Sequence, residues 1–432
     1  MTNRTVSRRR LIAAGTIGNI LEWYDFSIYG FFAVQIGATF FPSGDRLAEA
    51  LAAFSVFAVG YLARPLGAIV IGHVGDRAGR PAALTVSILG MVIPTLGMGV
   101  LPGHESIGLA APILLTVLRL VQGLALGGES AIANVFMVEQ APTGRRALSS
   151  AISGAGYAVG IQLASLAALA CASVLTPAEL QAWGWRIPFW LSLLVALTGF
   201  YIRRTLMDLP PPVAAAASPL AEVMRHHLPL VARIAALSLF AAVGFQVAFI
   251  YVAEWLQRVV GATPADTFKV TSLSMLAVTP ISLLFGWLAD HIGRRGLLMA
   301  SAALGALGAV PFYMLMQDHA PALLWLGQAG FVLALAVQFG VQGALMVEIT
   351  PVAVRCTALA IGNNLAWSVV GGLTPLAATW LSWRTGEALA PAWLVVAAAA
   401  ITLLALRLTA DPFRRAIQAD RVTLGWGMGE KS

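Results

Sequence analysis

Apolar runs about as long as a bilayer is thick follow one another along nearly all of this chain, and that succession leaves few folds open. About 20 predominantly apolar residues span the hydrocarbon core as a helix. Such runs fall at 11–34, 51–72, 82–101, 110–138, 147–171 and 187–203. They resume at 229–254, 270–290, 297–316, 321–347, 357–383 and 389–409. Between the two sets lies a more polar stretch with Pro210-Pro211-Pro212 and Arg225-His226-His227. With 59% of its 432 residues hydrophobic and 11% charged, the chain carries more apolar surface than a soluble interior buries, so most of it must face lipid. In lipid the backbone must satisfy its own hydrogen bonds, which makes these runs helices.

The sequence also repeats itself. Gly72-His73-Val74-Gly75-Asp76-Arg77-Ala78-Gly79-Arg80 returns as Gly286-Trp287-Leu288-Ala289-Asp290-His291-Ile292-Gly293-Arg294. Glu139, Pro142 and Arg146 return as Glu348, Pro351 and Arg355. A duplicated unit of membrane helices points to two halves that rock about a shared central site, as in many secondary transporters. The fold expected is an all-α membrane protein, twelve transmembrane helices in two pseudo-symmetric six-helix bundles. The first bundle is 1–204, a cytoplasmic linker 205–228, the second bundle 229–410 and a cytoplasmic tail 411–432.

Charge placement sets orientation and narrows the class. The formal net charge is +7, but the basic residues stand in short clusters between apolar runs, a topology pattern and not a nucleic-acid stripe. All but seven of the 27 lie in the segments that are inside if the N-terminus is inside, so both termini are expected there. Ser7-Arg8-Arg9-Arg10 resembles an export signal, yet the run after it contains Glu22 and Asp25 and no small-residue cleavage site, so it reads as a retained first helix. Cys171 and Cys356 both sit in apolar sequence and read as inert buried thiols.

Five ionisable residues interrupt the first set of spans: Glu22, Asp25, Arg64, Arg119 and Glu129. A charge at mid-bilayer costs at least about 2.5–3.5 kcal/mol, so such groups pair or line a cavity. Counting helical rise puts Asp25 and Arg119 at one depth, where they are expected to pair; Glu22, Arg64 and Glu129 belong nearer the inner side. With Arg119 close, Asp25 stays charged; if the Arg is withdrawn, desolvation favours proton uptake. That is a proton switch, and a static pair between helices is the alternative. Arg64, beside Pro65, either faces the cavity or snorkels to the interface. The second set of spans carries Gln246, Tyr251, Gln338, Gln342, Asn363, Asn364 and Trp367, which suggests neutral hydrogen-bonding contacts. Glu254 and Lys269 read as solvated rim positions. The repeated loops place Gly72, Asp76, Arg77, Arg80, Asp290 and Arg294 at the inner edge, with Glu139, Arg146, Glu348 and Arg355 nearby; all are assigned to gating, Asp accepting from a helix N-terminus or pairing with a basic neighbour.

Several stretches resemble one family. They are Gly18-Asn19-Ile20-Leu21-Glu22-Trp23-Tyr24-Asp25-Phe26 with Tyr29-Gly30, and Ala63-Arg64-Pro65-Leu66-Gly67-Ala68. They continue as Arg119-Leu120-Val121-Gln122-Gly123 with Gly127-Gly128-Glu129, Trp183-Gly184-Trp185-Arg186-Ile187-Pro188-Phe189, and Glu348, Pro351 and Arg355. With the duplicated loop, they resemble the major facilitator superfamily and, within it, the metabolite:proton symporter family. The resemblance implies a multi-pass protein of the bacterial inner membrane that moves a carboxylate such as citrate, 2-oxoglutarate, tricarballylate or shikimate, or a zwitterion such as proline or betaine. Ala289 departs from the second glycine of the loop motif.

The leading expectation is therefore a proton-coupled symporter of a small organic anion, a mono-, di- or tricarboxylate, working by alternating access as a monomer in the lipid bilayer. The alternatives are an exporter of an organic acid or siderophore-like metabolite and an importer of a zwitterion. Protons are the expected coupling ion, with no other cofactor, no metal and no nucleic-acid partner. Asp25, Arg119, Glu22 and Glu129 are the candidates for proton coupling. Arg119, Tyr24, Tyr29, Arg64, Gln122, Tyr157, Gln162, Gln246, Asn363, Asn364 and Trp367 are the candidates for substrate contact. A membrane enzyme is disfavoured, since no H-E-x-x-H, no G-x-S-x-G and no clustered His or Cys occurs.

Overall fold

The computed structural model describes residues 20, 22–78, 80–126, 134–135, 137–139, 141–142, 144–204, 219–318 and 320–411, and of these the backbone alone at 68–78, 80–85, 88, 195–196, 198–204 and 219–221. Every regular element among them is helical. The long helices are α1 (22–31) and α2 (Ala33–Phe40), α3 (Arg46–Ala78), α4 (Arg80–Val100), α5 (Ala110–Ala125), α6 (Arg146–Val174) and α7 (Ile187–Arg204). After the polar stretch come α8 (Leu228–Val260), α9 (Pro264–Ile292), α10 (Arg295–Gln317), α11 (Pro321–Ile349), α12 (Val352–Thr385) and α13 (Ala390–Arg407). The bond from the Phe32 amide to the Ile28 carbonyl, 3.1 Å, carries the chain from α1 into α2.

Eight of these helices among the described residues are long and apolar enough to cross a membrane. Their outward faces carry Ile93, Leu194, Leu284, Leu307 and Leu404, an apolar exterior suited to lipid. Two helices stand apart: α8 and α11 are 83% and 78% buried over their most apolar stretches, against 39% for α6, α9 and α10. They form the interior of the second set, which is where a site can be built.

Close approach within the bundle depends on small residues. A Cβ on Gly123 of α5 would overlap the carbonyl oxygen of Gly60 on α3, and one on Gly67 would overlap that of Leu124. The second set repeats the arrangement, with Gly340 of α11 set against the carbonyl of Ser282 on α9. Backbones this close gain dispersion contact that lipid tails do not supply.

The helices on either side of the polar stretch meet chiefly through α6 with α9 and α11, and α3 with α12. At one end aromatic rings fill this seam: Phe32 and Phe268 have centroids 5.3 Å apart, and Phe54 and Tyr251 6.1 Å. At the other end, the inner one by the distribution of basic residues, the contacts are polar. Asp290 at the end of α9 accepts from the Ala147 and Leu148 amides, at 2.9 and 3.0 Å, and so caps the N-terminus of α6. Arg294 bridges Asp290 (3.0 Å) and Glu348 (3.1 Å), and Arg355 donates to Glu139 at 2.5 Å. Arg146, exposed, acts electrostatically on Glu348, so each copy of the Glu–Arg repeat faces the other copy. The side chains of Gly72, Asp76, Arg77 and Arg80, and all of Glu129, lie outside the described residues.

Two sequence expectations are corrected here. Glu254 is not at a solvated rim: it is 4% exposed, its Oε1 accepts from Arg258 at 2.7 Å, and Arg258 in turn donates to the Tyr251 hydroxyl at 3.0 Å. Residues 251, 254 and 258 fall on one helical face, and α8 turns that face inward. Lys269 is exposed as expected. Cys171 is buried, but Cys356 is exposed, because α12 turns it away from its neighbours; both are free thiols.

Gly123→Val is expected to lower the thermal midpoint in detergent, by an overpacking penalty of about 1–3 kcal/mol; an unchanged midpoint would show that α3 and α5 have room to part. Asp290→Ala removes a helix cap of about 1 kcal/mol and so is expected to raise thiol labelling of a Ser150→Cys reporter about fivefold, in a background with both native cysteines replaced by Ser. Equal labelling rates would show that this contact does not hold the inner end shut.

Candidate functional site

Two sites emerge from the charged and amide side chains that the fold turns inward. The first is fully buried between α1, α4 and α5. Arg119 of α5 has no solvent exposure, and its guanidinium lies over the rings of Phe26 and Tyr29, 4.2 and 4.4 Å from their centroids. Gly60 makes the space: a Cβ there would stand 3.1 Å from the Arg119 Cγ and Nε.

The structure does not pair Asp25 directly with Arg119, as the depth count predicted. The two are joined by a chain of donors running one way. Arg119 Nη1 donates to Gln122 Oε1, Gln122 Nε2 to Thr95 Oγ1 at 2.7 Å, and Thr95 Oγ1 to Asp25 Oδ2 at 3.0 Å. The depth count was sound, but it carries no information about lateral distance, and Thr95 and Gln122 fill the gap. The other carboxylate oxygen, Asp25 Oδ1, is buried with no hydrogen-bond partner among the described residues. Sequence reading missed Thr95. A hydroxyl in an apolar helix commonly bonds its own turn, and Thr95 does also reach the Met91 carbonyl at 2.8 Å.

The second site is a cavity between the two sets of helices, with a water-accessible volume of about 170 Å³. Rings gather on one wall. Trp23 lies 5.6 Å from Phe245, 5.5 Å from Trp367 and 5.7 Å from Tyr157, centroid to centroid, and Phe339 stands 6.2 Å from Trp367. Five amides, Asn134, Gln338, Gln342, Asn363 and Asn364, line the cavity among apolar side chains that include Ile161, Met275, Val278 and Met346. Gln342 donates to Ser238 at 3.1 Å, and Ser238 to Asn363 at 2.8 Å. Gln338 is fully buried, and neither atom of its amide meets a hydrogen-bond partner among the described residues. A buried amide left unbonded costs roughly 1–3 kcal/mol, which a ligand in the cavity would recover.

Arg64 is the one charged residue among the described lining residues, and it is paired with Glu22. It therefore faces the cavity and does not snorkel to an interface; at 5% exposure it is buried with its partner. Two wide helical turns flank the site, Gln246–Tyr251 in α8 and Leu365–Gly371 in α12, a distortion frequent at functional positions.

Of the residues expected to contact substrate, Arg64, Tyr157, Asn363, Asn364 and Trp367 line the cavity. Arg119, Tyr24, Tyr29, Gln122, Gln162 and Gln246 do not. Tyr24 donates to the Pro188 carbonyl at 2.8 Å and Tyr29 to the Ala53 carbonyl at 3.1 Å, so both hydroxyls are spent within the bundle. Gln246 is fully buried beside Tyr61, and Gln162 lies on α6 away from the cavity. Trp23, Phe245 and Phe339 were not singled out as substrate contacts; an aromatic cluster drawn from α1, α6, α8, α11 and α12 has no signature along the chain.

The family described as sugar (and other) transporter matches residues 11–210. A provisionally named proline/betaine transporter of Staphylococcus aureus (strain MSSA476) is 31% identical over 94% of this chain and 89% of its own length. The glycine betaine/proline/ectoine/pipecolic acid transporter OusA of Dickeya dadantii is 29% identical over 92% of this chain and 82% of its own. Among solved structures, the xylose transporter XylE from E. coli, in a partially occluded inward open conformation, superposes with a TM-score of 0.73 at 18% identity, covering 93% of this chain and 98% of that one. The human organic anion transporter MFSD10 gives 0.65 at 16% identity, covering 94% and 100%. At such identities the solved structures speak for the fold, while the bacterial relatives speak for descent. This chain belongs to the same transporter family as the Staphylococcus aureus relative, and the family model described as sugar (and other) transporter matches within its first half.

Proposed function

We propose that this protein imports a small zwitterion, a betaine- or proline-like molecule, together with protons. The observation that carries the reading is the composition of the cavity wall. Five aromatic rings meet there, and ring faces attract a desolvated ammonium by about 2 kcal/mol or more. The single lining cation, Arg64, already has Glu22 beside it. A di- or tricarboxylate would thus leave water without an uncompensated positive partner, at a cost of several kcal/mol per ion. A zwitterion brings its own opposite charge, and its carboxylate has the amides of Gln338 and Asn363 within the same cavity. The names of the bacterial relatives favour the same class. The expectation of an organic anion thereby yields to the zwitterion alternative.

In this reading the chain crosses the bacterial inner membrane twelve times, with both termini cytoplasmic. Bundles 1–204 and 229–410 rock about the cavity as a monomer, joined by the linker 205–228 and followed by the tail 411–432. Asp25 takes up the proton, with Arg119, Glu22 and Glu129 in the same machinery, and the inner polar contacts form the gate. Protons are the sole coupling ion and no other cofactor takes part. Each proton adds roughly 1.4 kcal/mol per pH unit and about 2.3 kcal/mol per 100 mV to accumulation.

The test is uptake into proteoliposomes under an inward proton gradient, using labelled betaine, proline, citrate and 2-oxoglutarate, each with and without a protonophore. Accumulation of betaine or proline that the protonophore abolishes is the expected result; accumulation of a carboxylate alone would overturn it. Trp23→Leu and Trp367→Leu are each expected to weaken apparent affinity for betaine about tenfold or more, a cation–π loss of about 1.4 kcal/mol, whereas Trp23→Phe holds most of it. Full affinity in both leucine variants would remove the ring wall from the binding site.

A further inference from the structure

Resting on the proton-coupled reading, we infer that Thr95 is a two-position element that reports the protonation of Asp25 to Arg119. Its hydroxyl oxygen lies within hydrogen-bond distance of three groups: Asp25 Oδ2 at 3.0 Å, the Met91 carbonyl at 2.8 Å and Gln122 Nε2 at 2.7 Å. The Gln122 amide is a donor in both arrangements, so it fills one lone pair of Thr95 throughout. The single hydroxyl hydrogen then has two acceptors to choose between.

The choice follows the charge on Asp25. An ionised carboxylate only accepts, so Thr95 donates to it, and every donor from Arg119 through Gln122 and Thr95 points at the anion. A protonated Asp25 donates through Oδ2 instead, to the second lone pair of Thr95. The Thr95 hydrogen must then turn to the Met91 carbonyl, which already stands at bonding distance. No heavy atom need move for this step: one O–H bond forms at Asp25 with the incoming proton, and one hydroxyl rotates. What changes is the alignment between Arg119 and Asp25, since the last link of the chain reverses. Arg119 then loses the aligned chain to the acid and keeps Gln122 and the rings of Phe26, Tyr29 and Phe57.

The other titratable groups facing this cluster are spoken for or inert. Tyr24 and Tyr29 donate to backbone carbonyls, Cys171 lies beside Tyr24, and Tyr61 and Arg64 lie toward the cavity side of Arg119, with Glu22 on Arg64. None of them offers Asp25 a second hydrogen-bonding route among the described residues. Thr95 does not line the cavity, so its role is to position a charge and not to bind the substrate.

The experiment compares Thr95→Val, which keeps the shape and removes the hydroxyl, with Thr95→Ser, which keeps the hydroxyl. Both are reconstituted beside wild type and read in two assays: accumulation of betaine and proline under an imposed gradient of about one pH unit, and exchange of labelled for unlabelled substrate with no gradient. Tight one-to-one coupling sustains about a tenfold accumulation at that gradient, and uncoupled transport about none. The expected result is that Thr95→Val falls to no accumulation while still exchanging substrate, and that Thr95→Ser accumulates as wild type does. Accumulation undiminished in Thr95→Val would overturn the inference, as would loss of accumulation and exchange alike in both variants, which would mark Thr95 as merely structural. If wild-type accumulation were itself indifferent to the protonophore, the proton-coupled reading would fail first, and that outcome is seen before any variant is compared.

Discussion

A guanidinium held inside the bundle with no carboxylate among the described residues in contact is the constraint around which the first set of helices is arranged. Arg119 is always charged, and burying it in apolar surroundings is costly unless its charge is spread or answered. The structure spreads it over three ring faces and one amide. That solution dictates its neighbours: Gly60 must lack a side chain, Phe26 and Tyr29 must present their faces, and Gln122 must sit one turn further along α5. Asp25 answers the charge at a distance, through groups able to reverse their hydrogen bonds, and not through an ion pair that would fix both partners.

The second set of helices solves a different problem. Its interior sets amides and rings among aliphatic side chains, and buried charge among the described residues is confined to the Glu254–Arg258 pair at one end and the Arg294 network at the other. Neutral polar groups can be left unbonded at modest cost, so Gln338 can wait for a ligand in a way that a bare charge could not. The two halves of the cavity wall thus divide the work. One side supplies Trp23, Tyr157 and Asn134 with the buried charge machinery behind them, and the other supplies Phe245, Phe339, Trp367 and the remaining amides.

Much of this was legible in the chain. Apolar run lengths placed α4, α6, α7, α10, α11 and α13 to within a few residues, because bilayer thickness sets helix length. By contrast, α3, α8, α9 and α12 extend further than their runs, and α5 stops at Ala125, well short of its run. The repeat singled out Asp290, Arg294, Glu348 and Arg355, and the expectation that an Asp of the loop would accept from a helix N-terminus is met by Asp290 on α6. Helical rise assigned Glu22 and Arg64 to the same inner side of the bundle, and the two are paired. It could not say whether Asp25 and Arg119 touch, because rise gives depth alone, and rotation about each helix axis decides contact. Rotation likewise decided that Tyr24, Tyr29, Gln162 and Gln246 turn away from the cavity, that Cys356 turns out and that Glu254 turns in. The aromatic wall was invisible for a related reason: its members come from five helices and meet only when those helices are packed.

The cap that Asp290 places on α6 has a lopsided vocabulary. One partner is a side chain, but the other is the peptide backbone at Ala147 and Leu148, whose amides are the same whatever residue stands there. Mutational drift at 147 and 148 therefore passes unnoticed by this fastening, proline excepted, since proline alone lacks the donor. The join between the halves is hereditary on one side and nearly free on the other, so a single codon, that of Asp290, holds what two positions on the opposite helix receive.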